Sequence, residues 1–124
     1  MTDEHKGKGA RILLVEDSPV ISLKTEDLLT ENGYFVVGPA YDMPQAYDLA
    51  QREQVDAAIV DLNIRGEKCF GVLTILKERD IPFIITSGYA DWSMPEEWQD
   101  NPRLAKPFDE GDLLKMLKRA MPAD

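Results

Sequence analysis

Along the chain, short apolar runs alternate with stretches whose apolar residues recur every three or four positions. Arg11 to Glu16, RILLVE, reads as a short buried strand. Ser18-Pro19 pairs a helix N-cap with proline at the first helical position, so a helix is predicted from there to about Asn32, with Gly33 as its stop. Tyr34 to Gly38, YFVVG, predicts a second strand. Asp42 can cap a helix that carries Met43, Ala46, Leu49 and Ala50 on one face. Val55 to Leu62 is a third strand, and Cys69, Val72, Leu73 and Leu76 fall at amphipathic helical spacing after it. Pro82 to Thr86, PFIIT, is a fourth strand, and Leu104-Ala105 a weak fifth. Asp109 to Met121 closes the pattern as a helix with Leu113, Leu114, Leu117 and Met121 facing inward. Lys115, Lys118 and Arg119 near its end suit the helix dipole.

This is an α/β pattern with five βα repeats. Strands 1, 3 and 4 are nearly continuous apolar runs, as a parallel sheet covered on both faces requires. Right-handed crossovers then favour a doubly wound sheet. No internal repeat or low-complexity tract interrupts it. The expected organisation is a flexible tail over 1–9, one domain over 10–121 and a short tail over 122–124.

Composition narrows the chemistry. A length of 124 residues fits one domain with a proper core. With 14 basic against 23 acidic residues, the formal charge is −9, which argues against nucleic acid and anionic membranes as partners. It leaves divalent cations open. Cys69 is the single cysteine, so no internal disulfide forms, and it reads as a small buried apolar residue. No signal-like or membrane-length apolar segment is present, and a reducing cytoplasmic setting is expected. The only histidine, His5, lies in the N-terminal tail, which disfavours histidine catalysis and multi-histidine metal sites.

The candidate chemistry sits at strand ends. In doubly wound sheets, ligands bind outside the carboxyl ends of the strands at the point where strand order reverses. Glu16 and Asp17 close strand 1, and Asp61 closes strand 3 after an apolar run, where a lone buried carboxylate is unfavourable. If those strands are neighbours, three carboxylates converge and repel, and a hard cation such as Mg²⁺ relieves the repulsion. Ser87 follows strand 4 and Lys106 follows strand 5 at the same edge. A carboxylate nucleophile, a cation, a hydroxyl and an ammonium together suit phosphoryl transfer through an aspartyl phosphate.

These motifs resemble those of the receiver domains of two-component response regulators. The resemblance covers residues 10–121 and rests on Glu16-Asp17 after RILLV, Asp61 in VDLN, Ser87 after the fourth strand, and Lys106-Pro107-Phe108. It implies the flavodoxin-like strand order 2-1-3-4-5. It further implies that Asp61 accepts a phosphoryl group from a histidine kinase. Asp17 and Asp61 would bind Mg²⁺ directly, Glu16 through water, and Asn63 by its backbone carbonyl. Lys106 would contact the phosphoryl group, Ser87 would reorient to hydrogen-bond it, and Lys106-Pro107 would be a cis peptide. With no output domain in the sequence, action through an unidentified downstream protein, or as a phosphate sink or shuttle, is expected.

Two departures from the family pattern stand out. The position three before the lysine is usually aromatic in receivers and swings inward on activation; here it is Arg103. Ile84 to Tyr89 partly matches a subgroup whose fourth strand ends Phe-Ala-Thr-Gly-x-Tyr and whose fourth helix is reduced. Pro95 and Pro102 leave little room for a helix, so 90–102 is expected to be the most mobile internal segment, with Trp92 and Trp98 partly buried.

Two other functions compete. One is an interaction module that keeps the fold without phosphorylation; the full acid set with Ser87 and Lys106 argues against it. The other is an enzyme, either a flavodoxin-like nucleotide binder or an aspartyl-intermediate phosphatase. Glu16-Asp17 would repel a flavin phosphate, and strand 1 lacks an Asp-x-Asp nucleophile motif.

Overall fold

In a computed structural model of the chain, residues 9–88 and 94–121 are described. The tail expected over 1–9, save Gly9, lies outside them, as do His5, Tyr89, Trp92 and the tail over 122–124.

The main sheet has five parallel strands, β1 (Arg11–Val15), β2 (Phe35–Ala40), β3 (Ala57–Asp61), β4 (Phe83–Ser87) and β5 (Arg103–Ala105). They lie side by side in the order β2-β1-β3-β4-β5, the doubly wound order expected. The α-helices are α1 (Pro19–Glu31), α2 (Met43–Arg52), α3 (Phe70–Glu78) and α4 (Glu110–Ala120). Strand alternation splits the core in two. Leu13, Val15, Ala58, Val60, Phe83 and Ile85 pack with α2 and α3, while Ile12, Leu14, Ala57, Ile59 and Ile84 pack with α1 and α4. Strands β1, β3 and β4 are thus apolar on both faces, which is why their sequences read as nearly unbroken runs.

Helix α1 begins where Ser18 Oγ accepts the Ile21 N–H, with Pro19 following in the first turn. It ends at Gly33, whose φ of +87° turns the chain so that Tyr34 N–H reaches Leu29 O at 3.0 Å. Tyr34 therefore completes the helix end, and β2 starts one residue later than the sequence suggests. The strand also runs on past Gly38, where φ is +101° and the Gly38–Pro39 bond is cis. A Cβ at Gly38 would lie 2.9 Å from Ala40 N and 3.0 Å from Leu14 O, so only glycine fits. The register against β1 shifts there, and Ala40 O comes to accept the Glu16 N–H at 3.0 Å.

Between β4 and β5, the described residues hold only a single 3₁₀ turn, Glu96–Trp98, in keeping with a reduced fourth helix. Trp98 is 3 % exposed, a deeper burial than the sequence suggests. Its ring stacks on Phe70 at 6.4 Å between centroids, meets Phe83 at 6.1 Å, and has Lys77 Nζ 5.6 Å above it. Met94 is buried with it. Residues 94–102 are therefore anchored by an aromatic plug rather than by helix length, and 90–93 lie outside the described residues.

Candidate acidic site at the strand ends

Register builds the site. Val15 pairs with Val60, so Glu16 and Asp17 leave β1 beside Asp61 at the end of β3. Asp61 pairs with Thr86, and Ser87 pairs with Ala105, which delivers Lys106 at the same edge. Ligand atoms from Glu16, Asp17 and Asp61 all lie within 4.8 Å of one another.

Glu16 and Asp61 are each only 4 % exposed. Two nearly buried carboxylates this close need compensation, and Lys106 supplies it: Nζ lies 2.7 Å from Glu16 Oε1 and 2.7 Å from Asp61 Oδ2. The remaining oxygens are met by backbone donors. Ser18 N–H donates to Glu16 Oε2 at 3.0 Å, and Asn63 N–H to Asp61 Oδ1 at 3.2 Å. Asp17 is half-buried, and its Oδ2 accepts the Arg65 N–H at 2.8 Å. Ser87 is buried at the end of β4, and its carbonyl accepts the Lys106 N–H at 2.7 Å. The Lys106–Pro107 peptide is cis.

Arg103, where receivers usually place an aromatic, is half-buried and sets Nη1 2.9 Å from Met94 Sδ. Cys69 is fully buried, and burial together with the Asp61 charge pushes its thiol up to about 12, so it is an inert core residue.

Burial is the main reason Asp61 holds its proton more tightly than a free aspartate, up to about 6, and the Glu16 charge adds to it while Lys106 and the Asn63 N–H oppose it. Burial pulls the Lys106 ammonium down, but its hydrogen bonds to Asp61 and Glu16 outweigh this and hold its pKa above the ordinary value. The donor set, three carboxylates with unspent negative charge, fits a hard divalent cation of the Mg²⁺ kind.

The raised Asp61 value has a stability consequence. A carboxyl whose pKa is higher folded than unfolded favours the fold most below the unfolded value of 3.8, and that contribution is lost as pH rises through about 6. The displacement corresponds to about 3 kcal/mol at most, and screening at the open side of the site brings it to about 2. Asp61→Asn, without added metal, is therefore expected to be more stable than wild type at pH 8 and equal to it near pH 4. Melting curves across that range check this; a gap that does not change with pH would contradict it.

Among the residues that shape the site, Arg65 is the one sequence reasoning missed. The signal available was the x-Gly dipeptide between Ile64 and Glu67, a two-residue hairpin turn. Asn63–Ile64 and Glu67–Lys68 do form that hairpin, antiparallel, above the end of β3.

The family model for the response regulator receiver domain matches residues 12–118. The transcriptional regulatory protein PdtaR of Mycobacterium tuberculosis is 27 % identical over 124 residues, covering 97 % of this chain and 60 % of that protein. The chain thus spans under two-thirds of that relative. Among solved structures, SdrG from Sphingomonas melonis Fr1 is 37 % identical with a TM-score of 0.79, covering 88 % of this chain and 93 % of its own. The receiver domain of the sensor histidine kinase PA1611 from Pseudomonas aeruginosa is 30 % identical with a TM-score of 0.78, covering 90 % and 97 %, and has a magnesium ion coordinated in its active site cleft. No helix among the described residues is long and apolar enough to cross a membrane.

Proposed function

Because the chain belongs to the response regulator receiver domain family, whose members are signalling domains of two-component systems, we propose that Asp61 accepts a phosphoryl group from a histidine kinase. The observation that carries this is the placement of Asp61. It is a nearly buried carboxylate at a strand end, with Glu16 and Asp17 within 4.8 Å and the Lys106 ammonium at 2.7 Å.

In the transfer, an Asp61 carboxylate oxygen attacks phosphorus. The P–N bond of the phosphohistidine breaks, and the imidazole leaves with the bonding pair. The product is an acyl phosphate on Asp61. Asp17, Asp61 and the Asn63 carbonyl would hold a Mg²⁺, with Glu16 acting through water, and the ion would supply positive charge to offset that of the transferred group. Lys106 is already bonded to the Asp61 carboxylate and passes its ammonium to the phosphoryl oxygens. Ser87, at the end of the neighbouring strand, is the hydroxyl donor on the β4 side.

The partner's approach is suggested by α1. Val20 and Leu23 on that helix are 70 % and 60 % exposed. Beside them, a groove of about 240 Å³ runs between Ile21, Thr25 and Leu28 of α1 and the Lys106-Pro107-Phe108 segment. A protein donor seated there delivers its histidine next to Lys106.

Incubation with acetyl phosphate and Mg²⁺ tests the reading. Intact mass is expected to rise by one phosphoryl group, and not to rise when a chelator is present; an unlabelled protein would sink the proposal. Val20→Asp should slow transfer from a phosphohistidine protein about tenfold, as loss of an apolar interface anchor does, and leave acetyl phosphate labelling unchanged. Equal slowing with both donors would remove α1 from the docking surface.

A further inference from the structure

Arg65 occupies a position where arginine has no conformational reason to be. Its φ is +52° and that of Gly66 is +85°, the pair of left-handed residues a tight two-residue hairpin turn requires. Glycine or asparagine takes the first of these positions with little strain, and a long side chain does not. What Arg65 gains is two long-range bonds. Its N–H donates to Asp17 Oδ2 at 2.8 Å, and its Nε donates to Tyr41 O at 3.0 Å.

Both ends of this clamp are rigid. The Tyr41 carbonyl belongs to a turn fixed from either side: Glu16 N–H binds Ala40 O at 3.0 Å, Tyr41 N–H binds Gln45 Oε1 at 2.9 Å, and Gln45 N–H binds Asp42 Oδ1 at 2.9 Å. The hairpin is fixed at its base, where Ile64 is fully buried and Cys69 N–H meets Leu62 O at 2.9 Å. Between these supports, the guanidinium holds the turn down and the turn amide holds Asp17. Asp17 has the greater need of such support, since Lys106 pairs with Glu16 and Asp61.

We propose that Arg65 is a positioning residue: through its backbone N–H and its tether to Tyr41, it holds the Asp17 carboxylate in place for a divalent cation. The proposal rests on the reading of the acidic cluster as a Mg²⁺ site. It makes a prediction of unusual sign. A bare positive charge near a cation site weakens cation binding, so deleting an idle surface arginine should tighten Mg²⁺. Deleting a positioning residue should weaken it, by about tenfold where a hydrogen-bonded support of a ligand is lost.

Mg²⁺ affinity is measured by calorimetry on wild type, Arg65→Gly and Arg65→Lys. Glycine accepts the left-handed turn, so the melting temperature of Arg65→Gly is expected to be unchanged or higher while its Mg²⁺ dissociation constant rises about tenfold. Arg65→Lys keeps the charge but not the Nε donor, and should weaken binding as well. In an Asp17→Asn background, Arg65→Gly should add no further loss, because the two residues act as one unit. Tighter or unchanged binding by Arg65→Gly, or an equal loss with and without Asp17, overturns the assignment. A wild-type protein that takes up no Mg²⁺ overturns the metal reading first and the role of Arg65 with it.

Discussion

Asp61→Asn is expected to abolish labelling by acetyl phosphate and by any phosphohistidine donor, and to leave the fold intact. The amide has no nucleophilic carboxylate, and the remaining acids are held elsewhere. Glu16 has both oxygens engaged, by Lys106 and by the Ser18 N–H, and Asp17 is bound to the Arg65 N–H. The introduced amide keeps one acceptor oxygen where the carboxylate has two, so it can serve either Lys106, which meets Asp61 Oδ2, or the Asn63 N–H, which meets Oδ1; the other donor must shift locally, while β3 keeps its pairing with β1 and β4. Intact mass after donor and Mg²⁺ treatment, with circular dichroism on the same sample, decides the matter. A variant that still gains a phosphoryl group would move the acceptor to another residue.

Lys106→Met should produce the largest loss of stability of any substitution at the site. The ammonium bridges Glu16 and Asp61 at 2.7 Å each, and methionine leaves two nearly buried carboxylates facing one another. Breaking a buried pair by removing one partner costs about 3–5 kcal/mol, a large share of the roughly 5–15 kcal/mol typical of a domain. The pH dependence has a definite sign. The lysine value is raised above 10.5, so the ammonium is charged and its contribution present at both pH 5 and pH 7.5. Without it, Asp61 loses the group that opposes the effect of burial and keeps its proton to still higher pH. The variant should therefore lose less at pH 5, where Asp61 is neutral, than at pH 7.5. Added Mg²⁺ should restore much of the difference at pH 7.5, since a cation replaces the missing charge. Acetyl phosphate labelling should slow about a hundredfold, as loss of a donor to a developing anion does. Urea unfolding at both pH values, with and without Mg²⁺, checks the stability claim. A loss that is the same at both pH values and insensitive to Mg²⁺ would place its origin in packing rather than charge.

What the sequence discloses and what it hides follow from the range of the interactions concerned. Strand ends are legible because an apolar run that stops at Glu16 or Asp61 marks both the strand and its polar terminus locally. Pairing of β1 with β3, which brings those acids together, follows from topology rules rather than from any one residue. The bulge at Gly38 is less legible. Pro39 and Gly38 read as an end of strand, yet the chain turns through them and continues to Ala40 because that carbonyl finds the Glu16 N–H. Trp98 is hidden for a different reason. Its partners, Phe70, Phe83 and Lys77, belong to α3 and β4, and no periodicity in the segment around Trp98 names them. The same holds for Arg65, whose bond to Asp17 joins residues 48 positions apart.

Lys106 follows β5, a three-residue edge strand in which no residue is fully buried, and docks through Ser87 O and the two carboxylates. Release of this short edge strand from β4 would withdraw the ammonium while β1, β3 and β4 keep all three acids in register. That opened state would hold a repulsive trio of carboxylates without the ammonium that bridges two of them. A free cation would then be the charge that offsets it. The charge balance of the acid cluster is thereby coupled to the fraying of one short strand at the sheet edge.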